Sequence, residues 1–211
     1  MWVALNTWEV IRGEESEKKR SDTIQKLKSR LSFTCIELTT NLRNSRGIVR
    51  ETMTLTSTVK GSVTPFSQKT LTMPPRNFPT GCPPEYFYSE NSIEKAIEKM
   101  LRITTDGVLI IQYAGAEWLQ RNLMKCEATQ DWKSRTFKMY SKKNNDFATG
   151  GDPFDFLSKG NILAAGHELV NGFEWSNVIF ITGEFAFRTI FCNTYLRCTT
   201  NLFIVKHDKL K

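Results

Sequence analysis

Apolar positions along this chain fall into two alternating rhythms. Gly107–Tyr113 (GVLIIQY) is a nearly unbroken apolar run of strand length, and Asn161–Ala165 and Asn177–Thr182 are two more. Runs of this kind suit strands buried on both faces, as in a parallel sheet. Phe33–Leu38, Glu85–Ser89 and Leu202–Val205 add three further β-rich segments. Between them the period changes. Ile93, Ala96, Ile97, Met100 and Leu101 share one face of a helix that Asn91 or Ser92 can cap. Helical patterns also cover about 22–30, 46–59, 116–124 and 187–196. Strands that alternate with helices predict a parallel α/β sheet.

The intervening stretches are polar. Lys60–Pro84 carries Pro65, Pro74, Pro75, Pro79 and Pro83 and reads as loop. Residues 127–160 read as irregular, with a turn at Gly150–Pro153. Within them, Lys133–Lys143 mixes cations with Phe137 and Tyr140. That mixture suits a nucleic-acid strand or a solvated surface loop equally well. Residues 1–31 form a charged N-terminal helical or linker segment, and 32–211 the main domain.

Composition narrows the function classes only a little. With 211 residues, 40% of them hydrophobic, the chain can bury one sizeable core. No apolar run approaches the roughly 18 residues of a membrane span, and the N-terminus has no secretory pattern. Five scattered cysteines without CxxC spacing and two distant histidines give no metal-ligand cluster. They point to reduced thiols and an intracellular location, nucleus or cytoplasm. A net charge of +7 permits attraction to phosphates without requiring it. No G-x-S-x-G elbow is present, and a thiol nucleophile pairing Cys192 or Cys198 with His167 has no motif behind it.

Three segments, in order, carry a resemblance. The first is Leu38–Val49 (LTTNLRNSRGIV), with Asn41, Arg43, Asn44 and Ile48 at characteristic spacing. The second is Ile162–Ile181 (ILAAGHELVNGFEWSNVIFI), with Gly172, Glu174 and Trp175. The third is Cys192–Val205 (CNTYLRCTTNLFIV), with Arg197 followed five residues later by Leu202. Together they resemble motifs IV, V and VI of the second RecA-like domain of UvrD/Rep-type superfamily 1 helicases. The resemblance spans about residues 33–206. It implies a RecA-like, P-loop NTPase-type parallel sheet flanked by helices.

It also implies roles. Arg43 and Arg197 would be catalytic and reach the γ-phosphate of ATP. Gly172 and Glu174 would lie by the nucleotide, and His167, Glu168 and Asn171 by the nucleic-acid backbone. A guanidinium suits the first task because its rigid fork of donors fits phosphate oxygens and stays charged. A strand end running into a helix start suggests the carboxyl edge of the sheet, where α/β folds collect ligands. Departures from the pattern are Asn171 at a lysine position, His167 one residue early and Leu42 at an aromatic position.

No G-x-x-x-x-G-K-[ST] phosphate loop occurs, and no apolar strand ends in an Asp-Glu pair for magnesium. The resemblance therefore implies ATP and Mg only where a first RecA-like lobe is supplied, in the same polypeptide or by a partner. Single-stranded nucleic acid is the implied second partner. The competing expectation is a degenerate, non-hydrolysing nucleic-acid- or protein-binding module derived from a helicase. An accessory protein of unrelated fold is the third.

Overall fold

A computed structural model describes residues 43–57, 72–88, 91–113, 135–140, 151–170, 173–182 and 194–206, with isolated helical positions at 22, 25, 26, 121 and 123. Among the described residues, six strands form one sheet: β1 (Glu85–Tyr88), β2 (Val108–Gln112), β3 (Phe137–Tyr140), β4 (Ile162–Gly166), β5 (Trp175–Thr182) and β6 (Cys198–Lys206). Their order is β1-β6-β5-β2-β4-β3, and every pair is parallel. The expected α/β architecture is present, and it is consistent with a RecA-like sheet. An unrelated, non-parallel fold is excluded.

The central strand β2 is buried at all five positions, as its continuous apolar run requires. Its alternate residues enter two separate cores. Val108 and Ile110 pack on one face with Ile179, Ile181, Phe203 and Val205. Leu109 and Ile111 pack on the other with Phe180, Leu202 and Ile204. Helix α2 (Ser92–Ile103) covers the first face with Ile93, Ala96, Ile97, Met100 and Leu101, the five positions of its predicted stripe. Asn91 is its N-cap residue but makes no side-chain capping bond. Helices α1 (Arg46–Ser57) and α3 (Pro153–Ser158) place Ile48 and Leu157 on the second face.

Chain direction explains which face each connection takes. From β1 to β2 to β3 the chain moves one way along the sheet, and the intervening residues of α2 and Leu123 lie on the first face. From β3 through β4 and β5 to β6 it moves back. The connecting residues Leu157, Val170 and Tyr195 all lie on the second face. Right-handed crossovers require this exchange of faces when the direction reverses.

Two segments differ from the sequence reading. Phe137–Tyr140 is an edge strand, not a loop: Met139 is buried, Phe137 packs against the first core and Tyr140 against the second. Those aromatics are therefore held by the sheet. Asp152–Ser158 is a capped helix, not an irregular turn. The Asp152 side chain accepts from Phe154 N at 2.9 Å and Pro153 opens the helix. Strands β5 and β6 also start earlier than their apolar runs, at Trp175 and Cys198. The segments Phe33–Leu38 and 187–193 lie outside the described residues.

Candidate functional site

Parts of all three motif segments meet at the amino edge of the sheet. Ser45 N donates to Thr199 O at 3.0 Å, which ties the approach to α1 onto the start of β6. Asn44 is fully buried there. Its Nδ2 donates to Leu196 O at 2.9 Å and to Cys198 O at 2.7 Å, bracketing Arg197 from both sides. Trp175 N donates to Arg197 O at 3.0 Å, so the starts of β5 and β6 are joined at the same point. The Trp175 indole is held by Nε1 donating to Gly107 O at 2.7 Å, at the entry to β2. It serves as a boundary residue of the sheet.

Arg43 Nη1 lies 2.5 Å from Glu174 Oε1. These two residues are far apart in sequence and were singled out by different motifs. The Arg43 side chain is 57% exposed and that of Glu174 27%. A pair this open to water is worth at most about 1 kcal/mol. A phosphate can offer the same guanidinium two charge-assisted bonds. Exchange of the carboxylate for a phosphate is thus not opposed by the resting contact. Arg197 is half-buried at the same edge, with its N–H donating to Thr194 O at 3.0 Å.

The N-terminus of α1, by contrast, is not an open anion site. Arg46 N donates to Pro79 O at 3.1 Å and Gly47 N to Thr80 O at 2.8 Å. The Arg46 guanidinium donates to Pro74 O and Pro75 O at 2.6 and 2.7 Å. The proline-rich loop therefore occupies donors that a helix end can otherwise offer to phosphate. Gly47 permits this approach, since a Cβ there would lie 2.8 Å from Cys82 O.

This placement corrects the expected edge. Glu174 and Arg197 directly precede β5 and β6, so the cluster sits at the amino ends of the strands, not the carboxyl ends. His167 is at the opposite end, directly after β4, with its ring 5.0 Å from that of Tyr113 after β2. At roughly 3.3 Å per residue, strands of five to eight residues separate the two edges by about 20 Å. Connections leave β2 over one face and β4 and β5 over the other, which makes the carboxyl end of β2 a topological switch point. Glu168 lies in a short 3-10 turn, His167–Leu169. Asn171 and Gly172 lie outside the described residues.

Cys198 is fully buried, and burial pushes its thiol up to about 12. Its Sγ lies 3.5 Å from Ser176 O at the amino edge. His167 is at the other edge, so the two are not a nucleophile and its base. Native protein treated with a thiol reagent at neutral pH should carry label on the exposed Cys82 and none on Cys198. Peptide mass mapping checks this, and labelling of Cys198 before unfolding contradicts it. Among the described residues there is no cluster of three or more metal-ligating side chains, and no helix is long and apolar enough to cross a membrane.

Sequence reasoning named Asn44 only as a motif match and missed its clamp on β6. It also missed Phe154. That ring is 45% exposed and stacks on Phe173 at 4.1 Å, beside Trp175 at 6.3 Å. An aspartate before a proline, which caps and opens a helix, was the signal that could have placed it.

No family model matches the chain, and no curated protein matches it. Among solved structures, it is similar to the C-terminal domain of a possible DNA helicase from Lactobacillus plantarum WCFS1. The identity is 10%, the TM-score 0.46, and the match covers 78% of this chain and 86% of that one.

Proposed function

We propose that this chain is the second motor lobe of a superfamily 1 helicase-type ATPase, which supplies Arg43 and Arg197 to a nucleotide held by a first lobe. The observation that carries this reading is the convergence at the amino edge. Arg43, Glu174 and Arg197 were selected by three separate motifs, and the Arg43–Glu174 pair and the Asn44 clamp gather them at one place. In this reading ATP and Mg bind to the first lobe, and the two guanidiniums approach the γ-phosphate across a cleft. Arg197 is the finger that stabilises charge on the transferred phosphoryl group, a role worth about 10³–10⁵ in rate in related systems. Single-stranded nucleic acid would run along the opposite edge, past His167 and Glu168, with Asn171 of the same motif as a further contact. An intracellular site of action goes with this proposal.

A second reading keeps the fold and drops hydrolysis. Asn171 at a lysine position favours it, and so does Glu168 at the position where the motif has histidine. The chain would then be a nucleic-acid- or protein-binding module derived from a helicase.

Purified chain should hydrolyse no Mg-ATP, because it has no phosphate loop. Arginine-dependent turnover by the pure chain would overturn the lobe assignment. Joined to a first lobe that carries a GKT loop, it should turn over ATP, and Arg197→Ala should reduce that rate by about 10³ or more. Unchanged turnover in that variant would leave the second reading. Oligonucleotide binding that weakens linearly in log salt, with no effect of ATP, would support the second reading as well.

A further inference from the structure

Helix α1 has two caps within reach and uses one. Ser45 stands at its N-cap position, since Val49 N donates to Ser45 O at 3.1 Å. A serine there ordinarily accepts from the second or third helical N–H through its hydroxyl. Ser45 Oγ does not. It is buried, in a residue only 4% exposed, and has no hydrogen-bond partner among the described residues. The first two N–H groups of α1, on Arg46 and Gly47, go instead to Pro79 O and Thr80 O of a proline-rich strap, residues 74–82. Two more strap carbonyls, Pro74 O and Pro75 O, take the Arg46 guanidinium. Glycine fits the contact from both sides. A Cβ on Gly81, whose φ is +64°, would lie 2.4 Å from Ser45 Cβ and 2.5 Å from Ser45 Oγ. One on Gly47 would lie 2.8 Å from Cys82 O. The unpartnered hydroxyl thus points at the strap. On the strap itself, residues 75–77 and 79–82 are exposed.

We propose that this strap is an autoinhibitory cap over a site for a phosphate monoester or inorganic phosphate at the start of α1. Closed, it seats neutral carbonyls on donors that a helix end otherwise offers to an anion. Open, it releases Arg46 N, Gly47 N and the Arg46 guanidinium together. Ser45 Oγ can then turn to the third helical N–H, that of Ile48, and make the cap it does not make in the closed state. Opening therefore exchanges one cap for another and leaves no helix end bare. Two backbone N–H groups and a guanidinium fork suit separate unshared oxygens of a tetrahedral dianion. The inference rests on the amino-edge reading, whose phosphate-facing Arg43 stands just before this cap, and adds a gate to that edge.

The test uses the full chain and inorganic phosphate, with chloride at equal ionic strength as the control. Trypsin cleavage after the exposed Arg76 reports opening of the strap. Phosphate should raise the cleavage rate several-fold and saturably, and chloride should leave it unchanged. A rate that phosphate does not move overturns the proposal, whether or not any variant folds. Gly81→Ala should hold the strap open, because its Cβ cannot fit against Ser45. Phosphate affinity, read from the amide resonance of Gly47, should then rise about tenfold, since a closed fraction no longer lowers it. Arg46→Ala in the same background should remove the gain. A folded Gly81→Ala chain that is cut faster but binds phosphate no better makes the strap a structural staple and overturns the site. A short oligothymidylate, which offers only phosphate diesters, should not speed cleavage; action equal to that of phosphate overturns the monoester assignment. Failure of these results leaves the lobe reading standing, because turnover of the joined protein and its loss in Arg197→Ala do not pass through the strap. Unchanged turnover in Arg197→Ala, beside phosphate-driven opening, removes the lobe reading and keeps the gate.

Discussion

Gly107→Ala is expected to destabilise the folded chain by about 3 kcal/mol or more. A Cβ at this position would lie 2.2 Å from Leu157 O, 2.8 Å from Leu157 C and 2.9 Å from Asn161 O. All three are backbone atoms, so no side chain can swing aside to make room. Relief requires α3 and the turn into β4 to move outward. Leu157 anchors α3 in the second core, so that movement opens packing as well as removing the clash. Gly107 O also receives Trp175 Nε1, which makes this glycine part of the amino edge. Urea denaturation followed by tryptophan fluorescence measures the loss as a fall in midpoint at constant slope. A midpoint equal to that of the wild type would show that α3 is not seated against β2 as described.

Asn44→Ala should cost a comparable amount, about 3 kcal/mol, by a different mechanism. Its amide reaches two backbone carbonyls, Leu196 O and Cys198 O, from a position with no solvent exposure. Removing it takes a donor from both at once, and each buried group so stranded costs about 1–3 kcal/mol. Asn44→Asp should be worse at neutral pH, since it turns a carboxylate towards two acceptors. Burial would raise the folded-state pKa of that carboxyl above its unfolded value. The variant's stability should therefore fall as pH rises through the folded pKa and recover below the unfolded one. Denaturation midpoints at pH 4 and pH 7 distinguish the two variants. Equal midpoints for Asn44→Asp at both would argue against the buried clamp. A typical domain has only about 5–15 kcal/mol in total, so either loss is a large share of it.

These two sites differ from Arg43. The Arg43–Glu174 pair is exposed and contributes at most about 1 kcal/mol. Asn44, one residue along, is buried and secures the fold around Arg197. Neighbouring residues of one motif therefore divide into a buried clamp and an exposed ion-pair partner.

Much of the architecture was legible in the chain. Continuous apolar runs named β2, β4 and β5 because a strand covered on both faces has no polar side to show. Helix α2 was legible because five apolar residues at helical spacing have one place to go. Short elements with mixed patterns were not. Phe137–Tyr140 is an edge strand whose polar neighbours made it read as a loop, and α3 is too short to have a period. Their burial comes from packing against β4 and β2, which their own short patterns do not name.

The residues of the candidate site were likewise legible as types and spacings: Arg43 before a helix, Glu174 and Arg197 before apolar strands. Sequence alone determined that the chain alternates strand and helix and lacks a phosphate loop of its own. Tertiary structure alone decided the strand order, and through it the edge on which the arginines stand. Local pattern sets which residues form a strand, but not which strand lies beside it. That choice follows from the reversal of chain direction after β3 and the handedness of the crossovers. Because β5 and β6 are neighbours in that order, Glu174 and Arg197 begin adjacent strands at the amino edge, with Asn44 and Arg43 drawn in beside them.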